Sequence, residues 1–236
     1  MKKILLTTAA LAAISTSAFA EGTGFYVRGD VDAARFSGFK ANDTKIKPKF
    51  GFGFDLGAGY YITDSVRAEL VLNLPFVSKM KSKTVTTTVT DPTGNSLTTK
   101  SVTTYKPTVR ALFARVAADV VDFGAGKVFV TGGLGLAQVS SKVVDSHTQT
   151  VTPKGSAALT PTKKTDTYKA KNKTNFAWTI GAGTTCDVAE AVHLDVAYSY
   201  RDYGSSKIAK DGKYTLANSK AKMRSHNVSA GIRFDI

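Results

Sequence analysis

The sequence contains little cysteine and few acidic residues, and beyond residue 20 it has no long hydrophobic run. Cys186 is the single cysteine in 236 residues, which excludes an internal disulfide and any scaffold that depends on one. No later segment approaches the ~18 consecutive apolar residues that a transmembrane helix needs. If the remaining chain enters a bilayer, it must form a closed barrel, because only helices and closed barrels satisfy every backbone polar group in lipid.

Residues 1–20 have the three parts of a secretory signal peptide. Lys2 and Lys3 form a basic start, residues 4–14 are apolar, and residues 18–20 read Ala-Phe-Ala, a small-x-small cleavage site. A permanent membrane anchor is the alternative, but the apolar run is too short for one. We therefore expect cleavage after Ala20 and a single domain over residues 21–236.

The charge of the chain is strongly positive. Lys and Arg number 32 against 18 Asp and Glu, a formal net charge of +14, which removal of Lys2 and Lys3 lowers to +12. Such an excess predicts acidic partners rather than a particular fold. Because the chain is predicted to be exported, nucleic acid is a poor candidate. Anionic lipid headgroups, acidic glycans and acidic protein segments are better ones.

Strict alternation of large and small residues is clearest over residues 50–60, FGFGFDLGAGY. Every second residue from Phe50 to Tyr60 is apolar, and four glycines and Asp55 lie between them. Period-two alternation predicts a β-strand with two different faces. Bulky apolar residues opposite tiny ones are typical of a membrane barrel, whose outer wall contacts lipid and whose narrow lumen holds small or charged residues.

Seven further segments repeat this pattern, so the sequence predicts an all-β fold, an eight-stranded antiparallel transmembrane β-barrel. In the fourth segment the best register also turns Phe113 into the lumen. A soluble lipocalin-like barrel is the alternative, but its bulky residues would point inward. The predicted strands are residues 25–36, 50–60, 66–76, 108–121, 128–139, 175–185, 192–203 and 225–236.

The connections between these strands alternate in length, which predicts short periplasmic turns and four long extracellular loops. The Thr- and Val-rich residues 84–105, centred on Asp91-Pro92-Thr93-Gly94, predict a hairpin that continues the third and fourth strands outward. Cys186 falls in the third short connection and is interpreted as a turn residue. The predicted long loops are residues 37–49, 77–107, 140–174 and 204–224.

Two segments near the carboxyl end carry a family resemblance. Residues 191–204, AVHLDVAYSYRDYG, and the terminal SHNVSAGIRFDI resemble the last hairpin of the small eight-stranded outer-membrane barrels. That family includes the opacity-type surface proteins and the small rickettsial adhesins. The family usually ends in an aromatic residue, whereas this chain ends in Ile236. The resemblance implies a bacterial outer-membrane adhesin, and the rickettsial members imply vitronectin as the host ligand.

Charged residues recur at the inward positions of the predicted strands. Buried charges must be paired and hydrogen-bonded, and an eight-stranded barrel has an interior that side chains just fill. We therefore expect an ion-pair network that plugs the lumen, with a selective ion path as the alternative. The inward set comprises Arg28, Asp30, Asp32, Asp55, Arg67, Glu69, Arg115, Asp119, Asp195, Arg201, Arg233 and Asp235.

The three histidines do not form a recognisable catalytic or metal-binding set. His147 lies in the third long loop, His193 at the periplasmic end of the seventh strand, and His226 near Tyr200 at the outer end of the eighth. No serine, histidine and carboxylate stand at the spacing that nucleophilic catalysis needs. No cluster of metal ligands is visible either, so we expect neither an enzyme nor a cofactor.

The loops hold the distinctive signal, because they are rich in lysine and poor in acids. We expect the loops after the fifth and seventh strands to bind an acidic host ligand, with two tyrosines as contact anchors. The predicted ligand-binding residues are Lys163, Lys164, Tyr168, Lys169, Lys171, Lys173, Lys207, Lys210, Lys213 and Tyr214.

The sequence is also compatible with other roles for the basic residues and for the barrel. Lysines also recur every second residue at 45/47/49, 79/81/83 and 169/171/173. If the strands continue outward, each ladder has the lumen-facing parity of its strand and crowds the mouth of the barrel, where like charges this close favour a bound anion. Lys220, Lys222 and Arg224 have lipid-facing parity, which favours contact with the phosphates of lipopolysaccharide. A structural barrel that only contacts lipopolysaccharide, a lipid-modifying barrel enzyme and a small porin are the alternatives to an adhesin.

Overall fold

In the computed structural model of the protein, the described residues are 24–41, 44–46, 49–77, 80–81, 84–169, 172–207 and 220–236. The predicted signal peptide lies outside them. None of the described segments is a helix of the length and apolarity that a bilayer crossing needs. The described strands are β1 Phe25–Phe36, β2 Phe39–Ala41, β3 Thr44–Ile46, β4 Lys49–Thr63, β5 Val66–Val77, β6 Met80–Lys81, β7 Val85–Thr90, β8 Ser96–Asp122, β9 Gly126–Thr152, β10 Thr162–Lys169, β11 Lys173–Ala189, β12 Val192–Lys207 and β13 Lys220–Asp235.

Eight of these strands close into an antiparallel barrel in the order β1, β4, β5, β8, β9, β11, β12, β13. The ring closes because β1 pairs with β13 and β8 pairs with β9. Each predicted strand coincides with one of the eight. The first has the predicted bounds, and the others are longer, except at the last residue of the chain. The predicted fold is therefore confirmed.

Exposure alternates along every barrel strand in the predicted sense. On the outer wall Phe52 is 73% exposed and Phe176 62%, whereas Phe113 in the lumen is 2% exposed. Large apolar side chains on an outer wall need lipid around them. The register predicted for the fourth segment is confirmed, and the lipocalin-like alternative is wrong, because these bulky wall residues point away from the lumen.

The periplasmic half of the lumen is filled by ion pairs around Glu69. Arg28 Nη1 donates to the Glu69 carboxylate at 2.9 Å, Arg115 Nε donates at 3.0 Å, and the Tyr26 hydroxyl donates at 2.8 Å. Every member of the predicted inward set except Asp235 takes part in an ion pair within the barrel. The pairs of Asp32 with Arg201 and of Arg233 with Asp195, at 3.8 and 3.7 Å, are contacts between charges without a hydrogen bond. Asp235 instead lies 2.9 Å from the His193 ring at the periplasmic end. The predicted network is therefore confirmed.

Small residues on the inner wall make room for this network. The ring of Tyr26 lies against Gly59, where a Cβ atom would overlap it. A cavity between Arg28, Glu69 and Arg115 measures about 10 Å³, the space of about one water molecule. The lumen at this level is therefore packed, which disfavours the porin alternative.

The outer end of the lumen is apolar, a feature that was not predicted from the sequence. Above the ion pair of Arg201 with Asp55, at 2.7 Å, an apolar cluster spans the barrel. Phe36 stacks on Tyr203 with ring centroids 6.4 Å apart. The cluster comprises Ala34, Phe36, Tyr105, Val109, Ala111, Phe113, Ala137, Val139, Ala177, Tyr203 and Met223.

The periplasmic end differs from the prediction at the third turn. Cys186 lies inside β11, paired with Leu194 and exposed, so its interpretation as a turn residue is wrong. The strand continues because the β11–β12 pairing runs on to Ala189 through a bulge at Asp187. Next to this bulge, His193 hydrogen-bonds to Asp187 and Asp235.

Candidate cell-surface interface

Two barrel strands continue far beyond the lipid-facing wall. β8 and β9 are each 27 residues long, and their outer parts, residues 96–107 and 141–152, pair with each other in regular register. β6 and β7 flank β8, and β10 flanks β9. We call residues 96–107 and 141–152, together with β6, β7 and β10, the distal sheet. The predicted loops 77–107 and 140–174 are thus largely strand, in keeping with their Thr and Val content.

The turn between β7 and β8 confirms the predicted hairpin over residues 84–105. Gly94 has a φ of 90°, a conformation that glycine adopts at no steric cost. The Asp91 carboxylate accepts hydrogen bonds from the Thr93 hydroxyl at 2.7 Å and the Asn95 backbone at 2.8 Å. These bonds lower the pKa of Asp91 to about 2, so the carboxylate stays ionised and able to accept them at more acidic pH than an ordinary aspartate does.

The register of the distal sheet separates its lysines from its acids. Even-numbered residues of β8 share the face of Leu112 on the lipid-facing wall, and we call this continuation the outer face. The opposite side, continuous with the lumen, is the mouth face, and it holds the positions of Asp145 and Asp166. No carboxylate occupies a described outer-face position of the sheet. The outer-face lysine positions are Lys81, Lys100, Lys106, Lys142, Lys163 and Lys169.

Three of these lysine positions form one row across the sheet. Lys106 lies directly opposite Lys142, and Lys142 lies opposite Lys169. Like charges placed directly opposite each other destabilise a sheet unless an anion compensates them. Lys100 and Lys163 lie in a second row, farther from the barrel. Lys100 is six residues from Lys106 along β8, or about 20 Å at the usual rise per residue. An anion that contacts both rows must therefore be long.

Residues 6–234 match the family described as "Outer membrane protein beta-barrel domain". The chain belongs to this family. A Rickettsia conorii protein named "Putative adhesin" is 36% identical over 208 residues, covering 84% of this chain and 74% of that protein. A second, from Rickettsia felis, is 32% identical over 245 aligned residues and covers 100% of both chains. Among solved structures, Neisserial surface protein A matches with a TM-score of 0.48 at 19% identity, over 90% of this chain and 97% of that one.

Membership of an outer membrane barrel family places the distal sheet on the cell surface, because in these barrels the long connections are extracellular. The family that matches is a family of barrels and not a class of enzymes. His226 fits a structural role, since its ring nitrogen lies 2.6 Å from the Tyr198 hydroxyl and its ring packs edge-on against Tyr200 at 5.1 Å. His147 lies in β9 rather than in a loop, 2.9 Å from the Ser101 hydroxyl.

The structure divides the predicted ligand-binding residues between two faces. Lys163 and the position of Lys169 belong to the outer face, while Lys164 and the position of Tyr168 belong to the mouth face. Lys173 begins β11, with its ammonium 3.4 Å from the Ser205 hydroxyl, and Lys207 ends β12. Four more predicted residues lie outside the described residues: Lys171, Lys210, Lys213 and Tyr214.

Four outer-face lysines, Lys81, Lys100, Lys106 and Lys142, were not among the predicted ligand-binding residues. The predicted lumen-facing parity of the lysine ladders is wrong at Lys81 and Lys169, whose positions belong to the outer face, because the parity of β5 does not carry over to β6, nor that of β11 to β10. The parity of Lys100 and Lys106 in the sequence could have indicated the outer face. Lys100 and Lys106 lie an even number of residues from Leu112, so extending the fourth predicted strand outward places them on its lipid-facing side.

The predicted lipopolysaccharide-contact residues lie at the outer rim of β13. Lys222 is exposed, whereas Arg224 Nε donates to Asp202 at 2.7 Å, so part of the Arg224 charge is already compensated. Lys220 begins the strand. Nearby on the same wall, Arg35 lies opposite His226 and over the Phe50 ring, 5.9 Å from its centroid. Aromatic and basic residues together are typical of the headgroup level of a membrane wall.

Proposed function

We propose that this protein is a surface adhesin that binds an acidic host ligand through the outer face of the distal sheet. One observation carries the proposal: six lysine positions share a face on which no described position is acidic. The name of its relatives, "Putative adhesin", supports the same role. Vitronectin, implied by the resemblance to the small rickettsial adhesins, is the first host protein to test.

A rigid sheet suits this role better than separate loops would. Because β8 and β9 run unbroken from the wall into the distal sheet, the lysines keep a fixed spacing. Less conformational freedom of the backbone is then lost on binding. Long-range attraction between the lysines and an acidic ligand speeds the encounter and weakens as salt rises.

Removing outer-face lysines is expected to weaken binding by about tenfold or more. The variant carries Lys100, Lys106, Lys142 and Lys163 changed to Gln, and each exposed pair contributes about 0.2–1 kcal/mol. Binding of immobilised vitronectin, and of heparin as a probe of charge alone, is measured at low and raised salt. We expect both affinity and its salt dependence to fall.

The matched control changes four lysines that lie off this face, with the same loss of charge. Lys154, Lys164, Lys173 and Lys222 changed to Gln should leave affinity within about twofold. Equal losses in the two variants would show a general effect of net charge and contradict an outer-face site. A larger loss in the control would favour the site predicted around β10 and β11.

Contact with lipopolysaccharide is a second candidate role, because Lys222 and Arg35 are exposed cations at the outer rim of the wall and Arg35 lies over the Phe50 ring. Changing both to Gln should reduce binding of labelled lipopolysaccharide in detergent micelles by up to about fivefold per cation. Lys127→Gln, at the opposite end of β9, is the control and should bind as the wild type does. Unchanged binding in the double variant would remove these residues from that role.

A further inference from the structure

β7 is an edge strand without a charged side chain. It pairs with β8 along its whole length, and no other described strand pairs with it. All its residues are exposed, with Val85 at 57% and Val89 at 61%. A free strand edge presents unpaired backbone donors and acceptors, and proteins usually protect such edges with lysine, proline or a bulge.

The opposite edge of the distal sheet is protected in that way. β10 carries Lys163, Lys164, Asp166 and Lys169 within eight residues. Charged residues on an edge strand discourage pairing with another chain. The contrast singles out β7 as the edge at which a further strand can be added.

We infer that β7 pairs antiparallel with β7 of a second copy of this chain. The residues Val85-Thr-Thr-Thr-Val89 read the same in both directions about Thr87. In a two-fold register centred there, Thr87 faces its own counterpart, Val85 faces Val89, and Thr86 faces Thr88. Two-fold contacts require such self-complementarity, and Thr–Thr and β-branched pairs stabilise neighbouring strands.

The second copy would also cover apolar surface. Val89, Leu97 and Val151 form a row across three strands on the mouth face, with exposures of 61%, 38% and 42%. In the inferred register, Val85 of the second copy lies beside Val89 and extends this row. No charged residue belongs to the row or to β7, so the contact itself brings no like charges together.

The direction of the strands places the two copies in different membranes. β8 runs from Leu112 in the lipid-facing wall to Thr99 opposite Thr87, thirteen residues or about 40 Å of strand. Antiparallel pairing inverts the second copy, so its barrel lies in a membrane that faces the first. The contact therefore joins two bacterial cells or two vesicles.

Proteoliposomes containing the full mature barrel are expected to cluster, which light scattering measures. Each contact is weak, but many contacts between two vesicles act together. Raised salt should increase clustering because it screens the repulsion between two basic copies. Binding to the acidic ligand changes with salt in the opposite sense, so the two activities are separable.

Thr87 allows a decisive charge test, because it alone faces itself in this register. Thr87→Lys vesicles and Thr87→Glu vesicles should each lose clustering, by about fivefold per contact and more across many contacts. Mixing the two populations should restore it, since Lys then faces Glu. The control, Thr165→Lys on the β10 edge, should cluster as the wild type does. Heparin binding should persist in Thr87→Lys, because Thr87 is on the mouth face.

Cysteine cross-linking tests the register independently in a Cys186→Ser background. Directly opposed Cα atoms lie about 4.5–5.5 Å apart, within the range of a disulfide, so Thr87→Cys should cross-link to itself between vesicles. Thr86→Cys should not. The inference fails if wild-type vesicles do not cluster at raised salt, or if Thr87→Lys clusters normally. It fails equally if mixing restores nothing, or if both cysteine variants cross-link alike.

Discussion

Replacing Glu69 by Ala is expected to destabilise the barrel by about 3–5 kcal/mol, the usual effect of removing one partner from a buried ion pair. The Glu69 carboxylate is buried and holds three partners by hydrogen bonds, Arg28, Arg115 and Tyr26. Arg67 lies 3.7 Å from it. Without the carboxylate, three guanidinium groups would share a narrow lumen with too few acids around them.

The measurement is the free energy of unfolding of the barrel in lipid vesicles, by urea titration. Glu69→Gln keeps the shape of the side chain but removes its charge, and it should fall between the wild type and Glu69→Ala. Glu190→Ala, in the exposed turn between β11 and β12, is the matched control and should change stability by no more than about 0.5 kcal/mol. If Glu69→Ala were as stable as Glu190→Ala, the ion pairs would not hold the lumen.

The wall of the barrel and its ionic core could both be predicted from the sequence. A strand between lipid and a narrow lumen has two very different faces, so period-two alternation appears in each segment by itself. Phe52 and Asp55, for example, have opposite parity and prove to be on opposite sides of β4. Charges of inward parity in a narrow lumen need oppositely charged partners, so the ion pairs could be predicted from parity as well.

The apolar cluster at the outer end of the lumen could not be predicted in the same way. Phe36 ends β1, and Tyr105 and Met223 lie outside the strands predicted from the sequence, which begin at residues 108 and 225. A single apolar residue of inward parity does not indicate a core. The core forms only when closure of the barrel brings such residues from different strands together. Phe113 was assigned to the lumen by register alone, and the reason for its position, contact with Tyr203 at 6.3 Å, is visible only in the fold.

The distal sheet was predicted only in part, for a related physical reason. Beyond Tyr105 and Ser141, the distal-sheet residues whose burial is described are exposed or half-buried on both faces. The sequence there therefore shows Thr and Val but no hydrophobic period. The hairpin of β7 and β8 was found through its turn, Asp91 to Gly94. The outer part of β9 has no comparable signal, because the residues it pairs with, in the outer part of β8, are not joined to it by a short turn.

Replacing Leu70 by Arg should destabilise the barrel by about 2–4 kcal/mol, the reported effect of a basic side chain at the bilayer midplane. Leu70 lies near the middle of β5, between Ala58 of β4 and Ala114 of β8, and its side chain is 54% exposed. In water, such a substitution at an exposed position would change little. Here the surrounding solvent is lipid, so a charge there would lose its hydration.

Leu159 offers a control of equal exposure in a different solvent. It is also 54% exposed, but it lies between β9 and β10 beyond the wall, where its backbone N–H donates to Val151 at 2.8 Å. Leu159→Arg should therefore change the free energy of unfolding by no more than about 0.5 kcal/mol. The same assay in lipid vesicles compares the two variants directly. Equal effects would contradict a lipid-facing wall, whereas a much larger loss for Leu70→Arg is the result that lipid around β5 predicts, because substitution and exposure are matched.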